Sequence, residues 1–232
     1  MLYLSSDVLD KSGALKGRFF MKRIIRIFLT LTMALSCVSP LTAYAGADAL
    51  ENGNAVRFAD VARDTYYYEA VMWAVDAKIT SGTGENTFSP ESSCTRAQAV
   101  AFLWRMVASP EPAAIDMPFA DVKEDSFFYK PVKWAVGSRI AGGTGANIFS
   151  PDNSCTRAQA VTFLWRTAGQ PKPNGKNNPF TDIEAGSYYY DAVLWAVENG
   201  IADGTDSTTF SPDDSCTRAQ IVTLLYRFIN GQ

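Results

Sequence analysis

The sequence contains no histidine, and this absence removes several classes of site from consideration. Without an imidazole there is no Ser-His-Asp or Cys-His catalytic site, no zinc site with a histidine ligand and no histidine pH switch. Any reaction would have to use carboxylates, thiols, lysine or arginine. The chain is not short of apolar material, because 47% of its 232 residues are hydrophobic and 19% are charged, which predicts a packed core.

The first 45 residues lack the pattern of a folded domain and have the layout of a secretory signal. A basic cluster that begins at Lys22 precedes a twelve-residue, mostly apolar run, and a small-x-small triplet ends at Ala45. Because the run is shorter than a membrane span, we predict a signal peptide region over 1–45, with translation starting at Met21 and cleavage after Ala45. An uncleaved anchor and lipidation at Cys37 are the weaker alternatives. After cleavage we expect no membrane span.

Positive charge is scarce in the rest of the chain. Residues 1–45 hold six of the Lys and Arg residues and two of the Asp and Glu residues, which leaves 15 basic and 22 acidic residues and a net charge of −7. Nucleic-acid binding depends on concentrated positive charge, so we do not expect a nucleic-acid partner. An anionic partner would have to be held by individual arginines.

The remainder is one sequence unit written three times. Aligned without gaps from Phe58, Phe119 and Phe180, the copies are identical at 22 of 48 columns. Proline-rich connectors separate the copies and indicate exposed spacers. We divide this part of the chain into a short linker (46–57), repeat 1 (58–109), repeat 2 (119–170) and repeat 3 (180–231).

Each repeat predicts a helix, a loop and a second helix. In repeat 1, Thr65 is the predicted N-cap of the first helix, Tyr68, Val71 and Val75 share its apolar face, and it ends near Ile79. A unit of this size cannot bury its apolar face alone, so neighbouring repeats must pack on one another. We expect the repeats to close into a pseudo-threefold unit rather than an open solenoid.

The second helix begins with Thr-x-x-Gln, a capping box, at Thr95 and Gln98 in repeat 1. An arginine follows the threonine in every repeat; the three are Arg96, Arg157 and Arg218. A cation in a first helical turn faces the positive end of the helix dipole, which costs about 0.3–1 kcal/mol at an exposed site. Two explanations remain open: a bound carboxylate or phosphate, or a salt bridge to an aspartate that also recurs in every repeat. The three aspartates are Asp60, Asp121 and Asp182.

Five motifs in fixed order resemble S-layer homology (SLH) repeats. They are Phe-x-Asp-Val/Ile, Trp-Ala-Val, Ile-x-x-Gly-Thr, Phe-Ser-Pro and Thr-Arg-Ala-Gln, and they occur three times within 58–231. The resemblance implies a mainly α fold of three helix-loop-helix repeats, with the second helices forming a central three-helix bundle. It also implies an exported protein of the cell wall or surface layer that attaches, without catalysis, to secondary cell-wall polysaccharide. That glycan is acidic, often through pyruvylated sugars, and lies in grooves between repeats.

The resemblance also implies site residues. The arginine of the family motif contacts the acidic sugar, and a glycine after the first helix lets the sugar approach the backbone. These ligand-binding roles fall on Arg96, Arg157, Arg218, Gly82, Gly143 and Gly204. Secondary candidates are Trp73, Trp134 and Trp195, for which a core position is the commoner role, together with Asp60, Asp121 and Asp182. The family motif usually ends in Glu, whereas every repeat here has Gln, which removes a negative charge beside each arginine.

Other functions have weaker support in the sequence. A wall-polysaccharide hydrolase would need two carboxylates about 5–10 Å apart in different environments. The repeated aspartates are not such a pair, and we expect no catalytic domain outside the repeats. A protein-binding surface adaptor is the third hypothesis, and no unrepeated apolar segment supports it.

We expect no cofactor and no metal. Cys94, Cys155 and Cys216 precede the capping threonines and are expected to be small buried residues, since three thiolates alone lack a fourth zinc ligand. The segment 203–206 resembles a fragment of a calcium loop, but its counterparts in repeats 1 and 2 lack the carboxylates, so it is predicted to be a turn.

Overall fold

The computed structural model describes residues 58–175 and 177–231. The predicted signal region, the start at Met21 and the linker 46–57 lie outside the described residues. Each repeat contains a short helix followed by a longer one. The helices are α1 (Tyr68–Asp76), α2 (Arg96–Met106), α3 (Tyr129–Gly137), α4 (Arg157–Thr167), α5 (Tyr190–Glu198) and α6 (Arg218–Asn230). In these ranges strand pairing is limited to isolated bridges, so the predicted mainly α, helix-loop-helix fold is confirmed.

The short helices begin and end differently from the sequence prediction. The N-cap of α1 is Tyr67, which makes no side-chain cap hydrogen bond. The Thr65 hydroxyl instead donates to Ala62 O at 2.7 Å, so the prediction of a Thr65 cap is wrong. The helix also ends at Asp76 rather than near Ile79, because Lys78 has a φ of 57° and turns the chain out of the helix.

The long helices begin as predicted. The Thr95 hydroxyl accepts from Gln98 N at 3.2 Å, and Gln98 Oε1 accepts from Thr95 N at 3.1 Å. The same reciprocal pair starts α4 and α6. Each capping box satisfies two backbone groups that a helix start would otherwise leave without partners.

Helices of different repeats pack on one another. Each short helix packs on the long helix of the repeat before it in cyclic order: α3 on α2, α5 on α4, and α1 on α6. The three long helices also contact one another, and Leu103, Leu164 and Leu225 line the small space between them. This arrangement confirms the central three-helix bundle, and it makes the apolar face of every short helix depend on a second repeat.

The three cysteines connect the repeats in a ring. Cys94 N donates to Cys216 O, Cys155 N donates to Cys94 O, and Cys216 N donates to Cys155 O, at 2.9, 2.8 and 2.8 Å. The same bond therefore joins repeat 1 to 3, repeat 2 to 1 and repeat 3 to 2, which supports the expected pseudo-threefold closure. All three thiols are free and buried, and burial raises the pKa of Cys94 to about 12 and that of Cys216 to about 11.

Within residues 58–175 and 177–231, none of the helices combines the length and the apolar character needed to span a bilayer.

Candidate functional site

Each arginine at a long-helix start binds the next repeat. Arg96 donates from Nε to Phe149 O at 3.0 Å and from Nη2 to Gly142 O at 2.9 Å. Arg157 makes the same two bonds to Phe210 O (2.9 Å) and Asp203 O (2.7 Å), and Arg218 makes them to Phe88 O (2.9 Å) and Ser81 O (3.0 Å). The arginines thus link repeat 1 to 2, repeat 2 to 3 and repeat 3 back to 1.

The salt-bridge explanation of these arginines is wrong for the described residues. Both oxygens of Asp60 accept backbone hydrogen bonds, from Phe88 N at 2.8 Å and Ser89 N at 2.7 Å. Asp121 and Asp182 bind the equivalent segments of repeats 2 and 3. These bonds hold a turn in which Ser89 has a φ of 58°, an uncommon conformation for a residue other than glycine. The aspartates therefore shape the loop whose phenylalanine carbonyl the arginine binds.

Aromatic rings complete the arginine environment. The Arg96 guanidinium lies 4.7 Å from the centre of the Phe149 ring and 5.7 Å from that of Phe163, and Arg218 lies similarly against Phe88 and Phe102. Arg96 is only 3% exposed and Arg218 only 5%, and burial lowers the pKa of both guanidinium groups. Arg157 in repeat 2 differs, because among the described residues it contacts only the Phe210 ring, and it is half-buried.

A single substitution explains why Arg157 is less covered. The position occupied by Phe102 and Phe163 in repeats 1 and 2 is Leu224 in repeat 3. The three arginines also share one feature, since their Nη1 atoms make no hydrogen bond to a described residue. No buried side-chain nitrogen or oxygen in the described ranges lacks a partner, so each Nη1 keeps some contact with solvent.

A side chain would not fit at the three predicted glycines, because backbone and ring atoms of the same repeat lie very close to them. A Cβ atom at Gly82 would lie 2.5 Å from Thr87 O and 2.7 Å from Phe58 Cε1, and Gly143 and Gly204 are crowded in the same way. Each glycine directly follows the residue whose carbonyl binds Nη2 of the arginine. The glycines therefore lie beside the arginines, and their packing accounts for them without a ligand.

The predicted tryptophans belong mainly to the core. Trp134 and Trp195 are buried, and Trp73 is partly buried. Trp73 packs edge-on against Tyr226, with ring centres 5.6 Å apart, and Trp195 packs against Phe228 at 6.0 Å. Little of these rings is left for stacking on a sugar.

The sequence analysis missed a set of exposed aromatic residues. Tyr66, Phe127 and Tyr188 occupy the same position in the three repeats and are 64, 62 and 57% exposed. Each is held edge-on by the aromatic residue that follows it, with ring centres about 5 Å apart. Tyr188 lies within electrostatic range of Arg96 and Arg166. The sequence feature that could have identified these residues is an aromatic side chain at the same position in every repeat, just outside the apolar stripe of the short helix.

A second set of arginines was also missed, although it is identical in all three repeats. Arg105 and Arg166, in the last turns of α2 and α4, donate from Nη1 to Ile79 O and Ile140 O, both at 3.1 Å. The third member, Arg227, instead donates from Nη1 to the Asp203 carboxylate at 2.7 Å. These arginines are half-buried and approach the same loops that Arg96, Arg157 and Arg218 bind.

We group these residues into three junctions. Junction 2 contains Arg96, Arg166, Gly142 and Tyr188, and junction 3 contains Arg157, Arg227, Asp203 and Tyr66. Junction 1 contains Arg218, Arg105 and Ser81, and we assign Phe127 to it as the residue equivalent to Tyr66 and Tyr188. Each junction takes residues from all three repeats, so it exists only when the ring is closed. Phe127 also lines an open pocket of about 550 Å³ together with Trp104, Tyr129, Lys130 and Lys133.

The comparison with known families bears directly on these repeats. The family model for the S-layer homology domain matches residues 57–100, 118–161 and 179–222, which contain the motifs and helix starts described above. The chain belongs to the S-layer homology family. It is therefore a cell-surface anchoring module of an exported protein.

The relatives of the chain include an enzyme, a surface-layer protein and an anchoring protein. The chain is 28% identical to an endoglucanase from Bacillus sp. (strain KSM-635) over 89% of its own length and 22% of that protein. It is 28% identical to the Surface-layer 125 kDa protein of Lysinibacillus sphaericus, over 72% of this chain and 14% of the relative. It is 30% identical to the Cellulosome-anchoring protein of Acetivibrio thermocellus, over 38% and 23%. The SLH chain thus spans less than a quarter of the length of these relatives.

Proposed function

We propose that this SLH chain binds an acidic secondary cell-wall polysaccharide at its junctions, without catalysis, and so holds an exported protein to the wall. The observation that carries the proposal is the environment of Arg96 and Arg218. Each is a buried cation that is bonded to neutral carbonyls, and no carboxylate among the described residues forms an ion pair with it. A ligand carboxylate would supply the missing charge.

The geometry suits a carboxylate carried on a sugar. Nε and Nη2 of each arginine are fixed by backbone carbonyls, so the solvent-side Nη1 is a pre-positioned donor that loses little freedom on binding. An exposed aromatic ring follows on the same junction and offers an apolar face to a sugar ring. A pyruvyl ketal places a carboxylate beside a sugar ring and therefore matches both features.

The repeated aspartates support a non-catalytic role. Glycoside hydrolysis needs one carboxyl group that can donate a proton and a second that attacks or activates water. Both oxygens of Asp60, Asp121 and Asp182 accept backbone hydrogen bonds within their own repeats. Carboxylates held in this way are poorly placed for proton transfer to a glycan.

Sedimentation with isolated cell walls tests the proposed function. We expect the chain to pellet with untreated walls and to remain in the supernatant once mild acid has removed the pyruvyl ketals, because the carboxylate that pairs with Arg96 and Arg218 is then gone. Incubation with the walls should release no reducing sugar. Failure to pellet with untreated walls would contradict the anchoring role, undiminished pelleting after acid would exclude the pyruvyl group, and sugar release by clean protein would contradict the absence of catalysis.

The exposed aromatic residues provide a second test that should leave the fold intact. We expect the triple variant Tyr66→Ala, Phe127→Ala, Tyr188→Ala to bind walls about tenfold more weakly or worse, because it removes the stacking surface at all three junctions. The matched variant Tyr66→Phe, Tyr188→Phe keeps the rings and should bind like the wild type. Lys172→Ala, which removes an exposed positive charge in the second connector, controls for net charge. Equal binding by the alanine variant and the wild type would remove the rings from the site.

A further inference from the structure

The three junctions differ in charge at one position of the loop that the arginines bind. Ser81 in junction 1 and Gly142 in junction 2 correspond to Asp203 in junction 3. All three use their backbone carbonyl to accept from an arginine. Only Asp203 adds a carboxylate, and its Oδ2 atom lies 2.7 Å from Nη1 of Arg227.

This ion pair changes the charge that a ligand meets. In junctions 1 and 2, Arg105 and Arg166 bind carbonyl oxygens and keep their full positive charge. In junction 3 the carboxylate neutralises Arg227, and the Asp203 side chain is 65% exposed, so it lies at the surface where a glycan would approach. A second carboxylate brought to that surface would meet a like charge.

Glu111 and Glu124 line the pocket beside Phe127 in junction 1, where Lys130 and Lys133 offset their charge. The remaining acidic groups near the junctions recur in equivalent places. Asp121 and Asp60 lie within electrostatic range of Arg96 and Arg218, in junctions 2 and 1, and Asp182 occupies the equivalent place in repeat 3. Glu91 and Asp213 similarly approach Tyr66 in junction 3 and Tyr188 in junction 2. Arg157 in junction 3 is the least buried of the three arginines, so burial of the arginine would not keep a ligand away from that junction.

We infer that the junctions are not equivalent: junctions 1 and 2 bind the acidic sugar, and Asp203 excludes it from junction 3. The inference rests on the proposed function, because it assigns places to the same ligand. Asp203 is then a specificity-determining residue, because it repels the carboxylate of the sugar and forms an ion pair with Arg227. The chain therefore binds the glycan at two sites rather than three. Two sites on one rigid unit allow a polymer to be held with an avidity above that of either site.

Exchange of the distinguishing residue tests this inference. The probe is an oligosaccharide prepared from pyruvylated wall polysaccharide, titrated into the full chain by calorimetry. We expect two sites per chain in the wild type, three in Asp203→Asn and one in Gly142→Asp, with the altered junction changed in affinity about tenfold or more. Gly142→Asn, which matches the size of the aspartate without its charge, should keep two sites. A Cβ at Gly142 meets no atom within 4 Å, so these side chains fit.

The outcomes separate the two proposals. No heat of binding from any of the four proteins would contradict the proposed function itself. A wild type with any count other than two, or counts that do not change in Asp203→Asn and Gly142→Asp, would overturn the inference and leave wall binding in place. Thermal unfolding of each variant checks the fold. Asp203 lies at the surface, where ion pairs contribute little to stability, so Asp203→Asn should remain folded.

Discussion

Arg218→Ala is expected to lower the free energy of unfolding by about 3–5 kcal/mol, because the arginine closes the ring between repeats 3 and 1. Its removal leaves Phe88 O without its donor in a buried place and removes the donor to the partly buried Ser81 O. It also leaves a cavity against the Phe88 and Phe102 rings. Chemical denaturation of the purified chain measures the loss.

Arg157→Ala is the matched comparison for Arg218→Ala. Arg157 makes the same two hydrogen bonds but is half-buried and contacts one ring, so water can replace part of what the substitution removes. We expect a loss of about 1–2 kcal/mol for this variant. Equal losses for the two variants would show that burial and the second ring do not contribute as the structure indicates.

This prediction affects how binding experiments on SLH chains are interpreted. An alanine at Arg96 or Arg218 removes a bond between repeats as well as a proposed ligand contact. Loss of wall binding in such a variant would therefore not identify a contact. Substitutions at Tyr66, Phe127, Tyr188 and Asp203 avoid this problem, because these side chains are mostly exposed.

The sequence predicted local structure better than contacts between repeats. The capping box at Thr95 and Gln98 depends on residues three apart, and it forms as predicted. The partners of the arginines could not be found in this way, because Arg218 and Phe88 are 130 positions apart. The helix dipole predicts an anionic partner for each arginine, but the partners in the structure are neutral carbonyl oxygens of the next repeat. Similarly, Asp60 pairs with backbone N–H groups 28 and 29 positions away, not with the arginine.

Positions at which the repeats differ were as informative about the candidate site as positions at which they are identical. Identical columns led to Arg96, Arg157 and Arg218, and to the glycines beside them. The change from Ser81 and Gly142 to Asp203 was visible in the sequence, but a turn was sufficient to explain it. Its significance depends on the position of Arg227, which only the folded chain brings to 2.7 Å. This single departure from the repeat gives junction 3 an ion pair between Asp203 and Arg227, whereas the equivalent arginines of junctions 1 and 2 bind carbonyl oxygens.

A second large effect is expected at alkaline pH, where the free energy of unfolding should fall steeply. Burial raises the pKa of Cys94 to about 12, that of Cys216 to about 11, and that of Cys155 well above its ordinary value. The unfolded chain has ordinary thiols, which ionise from about pH 8.5 upward. Between that pH and the folded pKa values the native state holds more protons than the unfolded state, so stability is complete below about pH 8.5 and is lost as pH rises.

The expected slope is about 1.4 kcal/mol per pH unit for each thiol, and about 4 kcal/mol per unit where all three contribute. Urea denaturation in reducing buffer at pH 8, 9, 10 and 10.5 measures it. The control is the triple variant Cys94→Ala, Cys155→Ala, Cys216→Ala, which keeps the backbone ring but has no thiol to ionise. Its slope should be much smaller, with a remainder from Tyr66 and Tyr188, whose pKa values are also raised, mainly by partial burial. If the variant and the wild type lose stability in parallel, the buried thiols are not the groups that titrate. The expectation that they do titrate rests on their burial, because a buried thiol without a compensating positive charge is stable only in its protonated form.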